Sequence, residues 1–211
     1  NYINYKKASI MLKRSAEIIL KEALEISPVV LVTGARQTGK STLCLDFRNE
    51  YRVFDNLTDR ESATNDPFGY ISSLPKPICL VEIQKVPHVL EAIKFDIDKN
   101  RINGNFLLTG SANILDMKKT KDSLAGRIIE IPLWTLSQKE LNFKADENII
   151  DILFKNEFDF LKSTSINVEK IYESIINGGY PEIQKISSTR GKALWFNSYI
   201  SSYIERDIRD I

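Results

Sequence analysis

Residues 29–42 read VVLVTGARQTGKST, an apolar run that passes into a glycine-bracketed loop and then into a helical pattern. The run Val29–Thr33 is suited to a buried parallel strand. Residues 34–41 fit the pattern G-x-x-x-x-G-K-[ST], whose glycines let successive backbone N–H groups turn inward onto phosphates. The helix that follows would direct its positive N-terminal end at the same point. This stretch therefore predicts a phosphate-binding loop between a strand and a helix.

The side chains of the loop extend this prediction to a nucleotide with a metal ion. Lys40 would reach the β- and γ-phosphates, and the hydroxyl of Ser41 would ligate Mg²⁺. The competing interpretation is a glycine-rich turn that only caps a helix. We expect ATP and Mg²⁺ as cofactors. The residues expected at the nucleotide are Gly34, Ala35, Arg36, Gln37, Thr38, Gly39, Lys40, Ser41 and Thr42.

Apolar runs alternate with helical patterns on both sides of this loop. Helices are expected at Ile10–Ile26 and Lys40–Asn49, from Asp66 to before Pro75, and from about His88 to Asp98, and further strands at Tyr51–Phe54, Ile78–Val81, Asn105–Thr109 and Ile128–Ile131. Strands that alternate with helices indicate a parallel sheet with right-handed crossovers. From about Ser137 onward only helical segments are evident. We therefore expect an α/β P-loop core in residues 1–136 and a smaller helical region in residues 137–211.

The composition excludes several other classes of protein. The 211 residues carry 29 basic and 28 acidic side chains, and this balance gives no reason to expect a nucleic-acid partner or a membrane surface. No apolar run approaches the roughly 18 residues that a spanning helix requires. Two cysteines and one histidine make neither a disulfide framework nor a zinc cluster. We expect a cytoplasmic module in which Cys44 and Cys79 are buried packing residues.

Polar residues follow two of the predicted strands where each reaches the carboxyl edge of the sheet. Glu82 comes directly after Ile78–Val81, where it would either activate the attacking water or hold Mg²⁺; the plain alternative is an exposed strand-end glutamate. Thr109 and Ser111 end the next strand, and their hydroxyls would contact the γ-phosphate or the water. Strand-end hydroxyls are also common helix caps, so both interpretations stand.

Six blocks, in order along the chain, resemble one family. They are GARQTGKST at 34–42, EIQKVP at 82–87, LTGS at 108–111, SLAGR at 123–127, GGYPE at 178–182 and YIERD at 203–207. They resemble the bacterial and archaeal AAA-type ATP-binding proteins that carry a C-terminal domain of unknown function. The resemblance extends from about Met11 to Ile211 and implies an AAA+-like core.

The resemblance also implies roles for individual residues. Lys40 and Ser41 would be the phosphate and metal residues, Glu82 the water-activating acid, and Ser111 or Thr109 the sensor.

Arg127 matches an arginine that the family usually carries. It would be a sensor, a finger that reaches a neighbouring subunit's nucleotide, or an ordinary surface arginine. The finger role would require self-association.

A second domain is expected beyond this chain. The family's C-terminal domain resembles a restriction-endonuclease fold. The stretch from about Arg190 to Ile211 is predicted as one helix with no terminal stop signal. We therefore expect this chain to be part of a longer protein, with that domain as an intramolecular partner.

One departure from the family pattern concerns the metal. The family normally reads Asp-Glu-Ile-Gln at the acidic strand end, whereas this chain has Val81 before Glu82. The missing carboxylate predicts an ATPase or ATP-driven switch with weak hydrolysis, unless Asp55 after the second strand fills the metal shell. The alternative is a non-hydrolysing nucleotide-binding scaffold for a C-terminal effector domain. A small-molecule kinase is less favoured because no acceptor site is evident.

Overall fold

The computed structural model describes residues 12–110, 124–142, 150, 154 and 167–204, with the backbone alone at 203 and 204. The described chain divides into two compact units. The first is Arg14–Trp134, and the residues from Thr135 onward belong to the second.

The first unit is built on a five-stranded sheet within the described residues. Its strands are β1 Val29–Thr33, β2 Tyr51–Val53, β3 Ile78–Val81, β4 Phe106–Thr109 and β5 Ile128–Pro132, in the order β2-β3-β4-β1-β5. Every pairing is parallel. All residues of β1, β3 and β4 are buried, because a parallel sheet that is covered on both faces needs apolar side chains on both sides. The predicted α/β fold with a parallel sheet is confirmed.

Helices cover the sheet on both faces. They are α1 Ala16–Ile26, α2 Lys40–Asp46, α3 Leu57–Asn65, α4 Pro67–Ser73 and α5 Val89–Lys99, with a short 3₁₀ turn at Ile83–Lys85 after β3. One apolar core joins α1 and α2 to the sheet through Leu20 and Leu43. The other core joins α4 and α5 to the opposite face through Ile71 and Ile93. Since the strands are parallel, all their carboxyl ends meet at one edge of the sheet, and the loops after β1, β2 and β3 open there.

The described part of the second unit is helical, as the sequence predicts. Its elements are α6 Gln138–Leu141, α7 Val168–Asn177, a 3₁₀ turn at Ile183–Lys185 and α8 Thr189–Tyr199, which passes into a π-helical turn at Ile200–Ile204. Ser137 and Glu140 form a reciprocal capping box at the start of α6. The ring of Tyr180 packs against those of Trp195 and Tyr199 at centroid distances of 5.2 and 5.0 Å. In the parts of both units that the structure describes, no helix has the length and apolar character needed to cross a membrane.

Two helices differ from the prediction. Helix α1 was expected from Ile10 but begins at Ala16, and residues 12–14 are not helical. Helix α3 is not predicted by the sequence pattern, since it carries a single fully buried side chain, Ala63. Its start is stabilised instead by the side chain of Asn56, which accepts a hydrogen bond from the backbone N–H of Thr58 at 2.9 Å. The expected helix over Arg190–Ile211 is described only as far as Ile204.

Candidate functional site

The loop between β1 and α2 follows a path that its glycines make possible. Gly34 has a φ of 142°, and a Cβ at this position would overlap the carbonyl oxygen of Leu133. Gly39, the residue before α2, has a φ of 94°. Residues with a side chain rarely adopt such angles, whereas glycine does so at no steric cost. The motif glycines are therefore required by the backbone path.

Lys40 is the first residue of α2, and its side chain is buried against the loop. Its Nζ donates hydrogen bonds to the carbonyl oxygens of Gly34 and Ala35 at 3.0 and 2.7 Å. Burial lowers the pKa of Lys40, while the negative charge of Glu82 acts in the opposite direction. An ammonium carries three N–H groups, so one remains for a phosphate oxygen.

Glu82 directly follows β3 in an unusual backbone conformation. Its φ is 63° and its ψ 45°, the left-handed region that costs a residue with a side chain about 1–3 kcal/mol. Its carboxylate accepts a hydrogen bond from the side-chain amide of Gln84. Within the described ranges only one other non-glycine residue has a positive φ, and it is Gln37 in the phosphate loop. Strained backbone of this kind concentrates at functional sites, and both residues line the same cleft.

Thr109 anchors the turn that holds Glu82. It is fully buried at the end of β4, which lies between β1 and β3. Its hydroxyl accepts a hydrogen bond from the backbone N–H of Glu82 at 3.2 Å. The structure therefore brings Thr109 to the acidic strand end. The other predicted hydroxyl, Ser111, lies outside the described residues.

The carboxyl edge of the sheet contains a cleft of about 390 Å³. It is lined by Arg36, Gln37, Gly39, Lys40, Ser41, Thr42, Asp55, Glu82 and Lys85. Three cationic side chains thus face two carboxylates, and Asp55 forms an ion pair with Lys85. Thr38 supports the loop from inside: it is buried, and its hydroxyl donates to the carbonyl oxygen of Ala35 at 3.0 Å. Most of the predicted loop residues therefore meet at one cleft.

Val81 occupies the position of the missing carboxylate. Its side chain is only 3% exposed and belongs to the apolar core that includes Leu43 and Cys44 of α2. It therefore points to the face of the sheet that carries the phosphate-loop helix. No oxygen ligand can come from this position.

The donor groups of the cleft fit a magnesium ion that arrives with a nucleotide. The hydroxyl of Ser41 and the carboxylates of Glu82 and Asp55 are hard oxygen donors, the type that Mg²⁺ prefers. No group of three or more His, Cys, Asp or Glu side chains is arranged for a metal among the described residues. Mg²⁺ usually binds through one or two carboxylates, water and substrate phosphates, so a larger cluster is not needed.

Arg127 lies at the amino edge of the sheet, opposite the carboxyl edge that carries the cleft. It precedes the first residue of β5, and its Nε donates to a carboxylate oxygen of Asp98 at 2.8 Å. The five residues of β1 separate this edge from the phosphate loop by about 16 Å. The structure does not bring Arg127 to the cleft of its own chain. An action on a nucleotide held by another copy stays a prediction.

Arg14 is a functional candidate that the sequence pattern did not reveal. Its guanidinium is buried behind the loop and donates to the carbonyl oxygens of Thr38, at 2.9 Å, and Trp134, at 2.7 Å. In the sequence it is one of several charged residues within the amphipathic helix expected at Ile10–Ile26, and nothing there marks it as buried. Its contact with the loop follows from tertiary packing.

A parallel sheet with this loop after one strand and a strained acidic residue at the end of another defines a P-loop nucleotide-binding module. Comparison with protein families agrees: a model described as an AAA domain matches residues 26–142, more than half of the chain. The chain therefore belongs to this family of AAA domains. A second model, described as a domain of unknown function, matches residues 168–211. The predicted AAA-type family, with a domain of unknown function towards its C-terminus, is confirmed. The second match lies within this chain, and a further domain beyond the chain stays a prediction.

Individual proteins give a consistent result. Uncharacterised proteins of Mycobacterium bovis and Mycobacterium tuberculosis are each 26% identical over 202 residues. Those matches cover 94% of this chain and 40% of the relative, so the chain spans well under half the length of these proteins. A solved structure, the Walker-type ATPase of Pyrococcus abyssi, has a TM-score of 0.57 and 16% identity over 95% of this chain and 76% of that one. At this identity the likeness shows a shared fold.

Proposed function

We propose that this chain is the Mg²⁺-dependent ATP-binding module of an AAA-type ATPase or ATP-driven switch with slow hydrolysis. The observation that carries the proposal is the convergence of Lys40, Ser41 and Glu82 on one cleft. They come from two elements, α2 and the end of β3, which the parallel sheet brings together. Phosphoryl transfer to water requires a cation that binds the phosphates, a hydroxyl that ligates the metal and a carboxylate that activates the water.

The arrangement supports a definite division of labour. The loop N–H groups and Lys40 would hold the β- and γ-phosphates. Glu82 would orient a water molecule and accept its proton as the water oxygen bonds to the γ-phosphorus. The bond to the bridging oxygen breaks in the same event, which releases ADP and phosphate. Thr109 holds the backbone of Glu82 in place through the hydrogen bond described above.

The metal would be held chiefly by Ser41 and the phosphates, with Glu82 as the carboxylate ligand. When bound, Mg²⁺ would neutralise charge on the β- and γ-oxygens. Because Val81 supplies no oxygen, Glu82 would have to serve both metal and water. Slow turnover is the expected result, since stabilisation of transition-state charge is what such sites mainly supply.

A second candidate function is a scaffold that holds ATP without turning it over. The apolar packing of Val81 favours it, because an aspartate is absent where the family normally has one. In this case nucleotide binding would stabilise the module for a C-terminal effector domain of the same protein. The greater length of the curated relatives leaves room for such a domain.

Calorimetry and a phosphate-release assay test these proposals. The parent should bind ATP in the presence of Mg²⁺, and Lys40→Ala should weaken binding roughly ten- to a hundredfold, the value of a charge-assisted hydrogen bond. Lys76→Ala is the matched control. Lys76 precedes β3 in the sequence, forms an ion pair with Asp96 and does not line the cleft. Slow phosphate release that Glu82→Gln abolishes would support the ATPase, and binding without release would support the scaffold. A parent protein that binds no ATP would contradict both.

A further inference from the structure

We propose that Lys85 is a second phosphate-binding cation that contacts the γ-phosphate of bound ATP, and that Asp55 is the residue that positions it. The inference rests on the proposed ATP-binding function and assigns to the same cleft a preference for triphosphate over diphosphate. Lys85 has no role in the site as described so far, and Asp55 has one only as an alternative oxygen donor for the metal. Both line the cleft beside Glu82 and Lys40.

The backbone places Lys85 on the same side as Glu82. A 3₁₀ turn, Ile83–Lys85, follows Glu82, and the N–H of Lys85 donates to the carbonyl oxygen of Glu82 at 3.1 Å. Ile83, which lies between them in sequence, is fully buried in the core. The hydrogen bond keeps the backbone of Lys85 next to Glu82, and both side chains line the cleft.

The charges of the cleft show what Lys85 would add. The negative charge of Glu82 raises the pKa of Lys40 against the effect of burial, so these two groups are electrostatic neighbours. A γ-phosphate held by Lys40 would then lie close to the carboxylate of Glu82, and like charges repel. A second ammonium on the Glu82 side offsets that repulsion. ADP lacks the terminal phosphate and would gain nothing from Lys85.

Strand pairing brings Asp55 to Lys85 across thirty residues of sequence. Val53 of β2 pairs with Val81 of β3, and the N–H of Phe54 donates to the carbonyl oxygen of Val81 at 3.0 Å. Asp55 thus emerges at the edge where the turn after β3 begins, and its carboxylate binds the Lys85 ammonium.

The exposure of this ion pair indicates what it does. The Lys85 and Asp55 side chains are 35% and 52% exposed, so the pair contributes little to folding stability. A lysine side chain is long and flexible, and fixing it costs conformational entropy. Orientation of Lys85 before the nucleotide binds is the effect that the pair can supply.

The experiment measures the affinities of ATP and ADP by calorimetry, with Mg²⁺ and in EDTA. Lys85→Met should weaken ATP binding about tenfold and change ADP binding less than about twofold, in either condition. Lys85→Arg, which keeps the charge, should retain most of the preference for ATP. Asp55→Asn should weaken ATP binding about threefold in the parent and add nothing in the Lys85→Met background. Lys76→Met, the control ion-pair variant, should bind both nucleotides as the parent does.

Three outcomes would overturn the assignment. Equal losses for ATP and ADP in Lys85→Met would show a general electrostatic effect, and no loss at all would show an ordinary surface ion pair. An Asp55→Asn loss that persists without Lys85 and occurs only with Mg²⁺ would make Asp55 a metal carboxylate instead. Thermal unfolding of each variant confirms that the folded state is being compared. A parent that binds neither nucleotide refutes the proposed function itself, which separates that failure from these three.

Discussion

The guanidinium of Arg14 donates a hydrogen bond to the carbonyl oxygen of Thr38, 24 residues away, at 2.9 Å. A second bond, at 2.7 Å, joins the same guanidinium to Trp134, the last residue of the first unit. Arg14 is 8% exposed, and its bond to Thr38 is buried, whereas its bond to Trp134 is partly buried. One buried cation thus fixes the rear of the phosphate loop to the segment that leaves β5.

Replacing Arg14 should therefore affect nucleotide binding as well as stability. We predict that Arg14→Met lowers ATP affinity about tenfold, because part of the binding free energy would then be used to order the loop. Arg48→Met is the control: Arg48 also donates to backbone carbonyls, those of Phe47 and Gly104, but is not part of the cleft. Both variants should lose stability, and calorimetry should find weaker ATP binding only in the first. Equal affinities in the two variants would contradict a positioning role for Arg14.

The buried ammonium of Lys40 predicts a pH dependence with two opposite signs. Its pKa is lowered by burial, so between this pKa and that of an unfolded lysine the folded chain binds fewer protons than the unfolded one. The contribution of Lys40 to stability therefore rises with pH in that window. ATP affinity should fall in the same window, because the site loses its cation.

Titration of both properties through the alkaline range, up to the ordinary lysine pKa of about 10.4, tests the Lys40 prediction. Calorimetry would follow ATP affinity, and denaturant unfolding would follow stability. Lys40→Met should remove both contributions. An ATP affinity that falls equally with pH in Lys40→Met would assign the effect to another group.

The apolar side chain at position 81 should limit the rate of hydrolysis. We predict that Val81→Asp increases steady-state phosphate release, because a carboxylate would stand on the phosphate-loop face of β3. The change also places a charge in an apolar core, so a lower unfolding temperature is expected. Val81→Asn has nearly the same shape without the charge and should give the stability loss without the gain in rate. A parent enzyme that is fast, and that Val81→Asp leaves unchanged or slows, would show that valine is no defect.

The two cysteines, Cys44 of α2 and Cys79 of β3, lie together between the phosphate-loop helix and the sheet. A hydrogen bond with Cys79 and burial raise the pKa of the Cys44 thiol well above its ordinary value. Since the thiolate is the reactive form, we predict that thiol reagents label neither cysteine in the native protein. Labelling should proceed at the rate of unfolding and slow when ATP and Mg²⁺ are present. Rapid labelling of the native chain, with folding verified by circular dichroism, would contradict this prediction.

The sequence predicts the elements that carry their signal locally. Strands β1 and β3 match the expected bounds because a strand buried on both faces is a continuous apolar run. Helix α3 was missed because a side-chain cap and packing stabilise it, and its residues show almost no apolar periodicity. The predicted start of α1 was wrong because it also depends on tertiary packing. The sequence pattern includes Arg14 in the helix, whereas the structure places it before the helix as a buried donor to the loop.

The site divides in the same way. The phosphate loop is a contiguous motif and could be predicted residue by residue, as could the acid that ends β3. The ion pair of Asp55 and Lys85 could not, because it depends on the pairing of β2 with β3. Arg127 precedes β5, a strand that the sequence predicts, and its placement at the edge away from the phosphate loop follows from the parallel direction of that strand. The role of Ser111 stays a prediction.

Strand β2 ends the sheet on one side, has three residues and pairs only with β3 among the described strands. Short edge strands open at a lower free energy than interior ones. Each opening of β2 would move Asp55 away from the cleft, while the loop between β1 and α2 would stay in place because β1 is an interior strand. On the proposed assignment, the loop between β1 and α2, which holds the inner phosphates, would then open less often than β2, which positions the contact to the terminal phosphate. Amide exchange at Tyr51–Val53 would report how often the preference of the protein for ATP over ADP is weakened while it still holds either one.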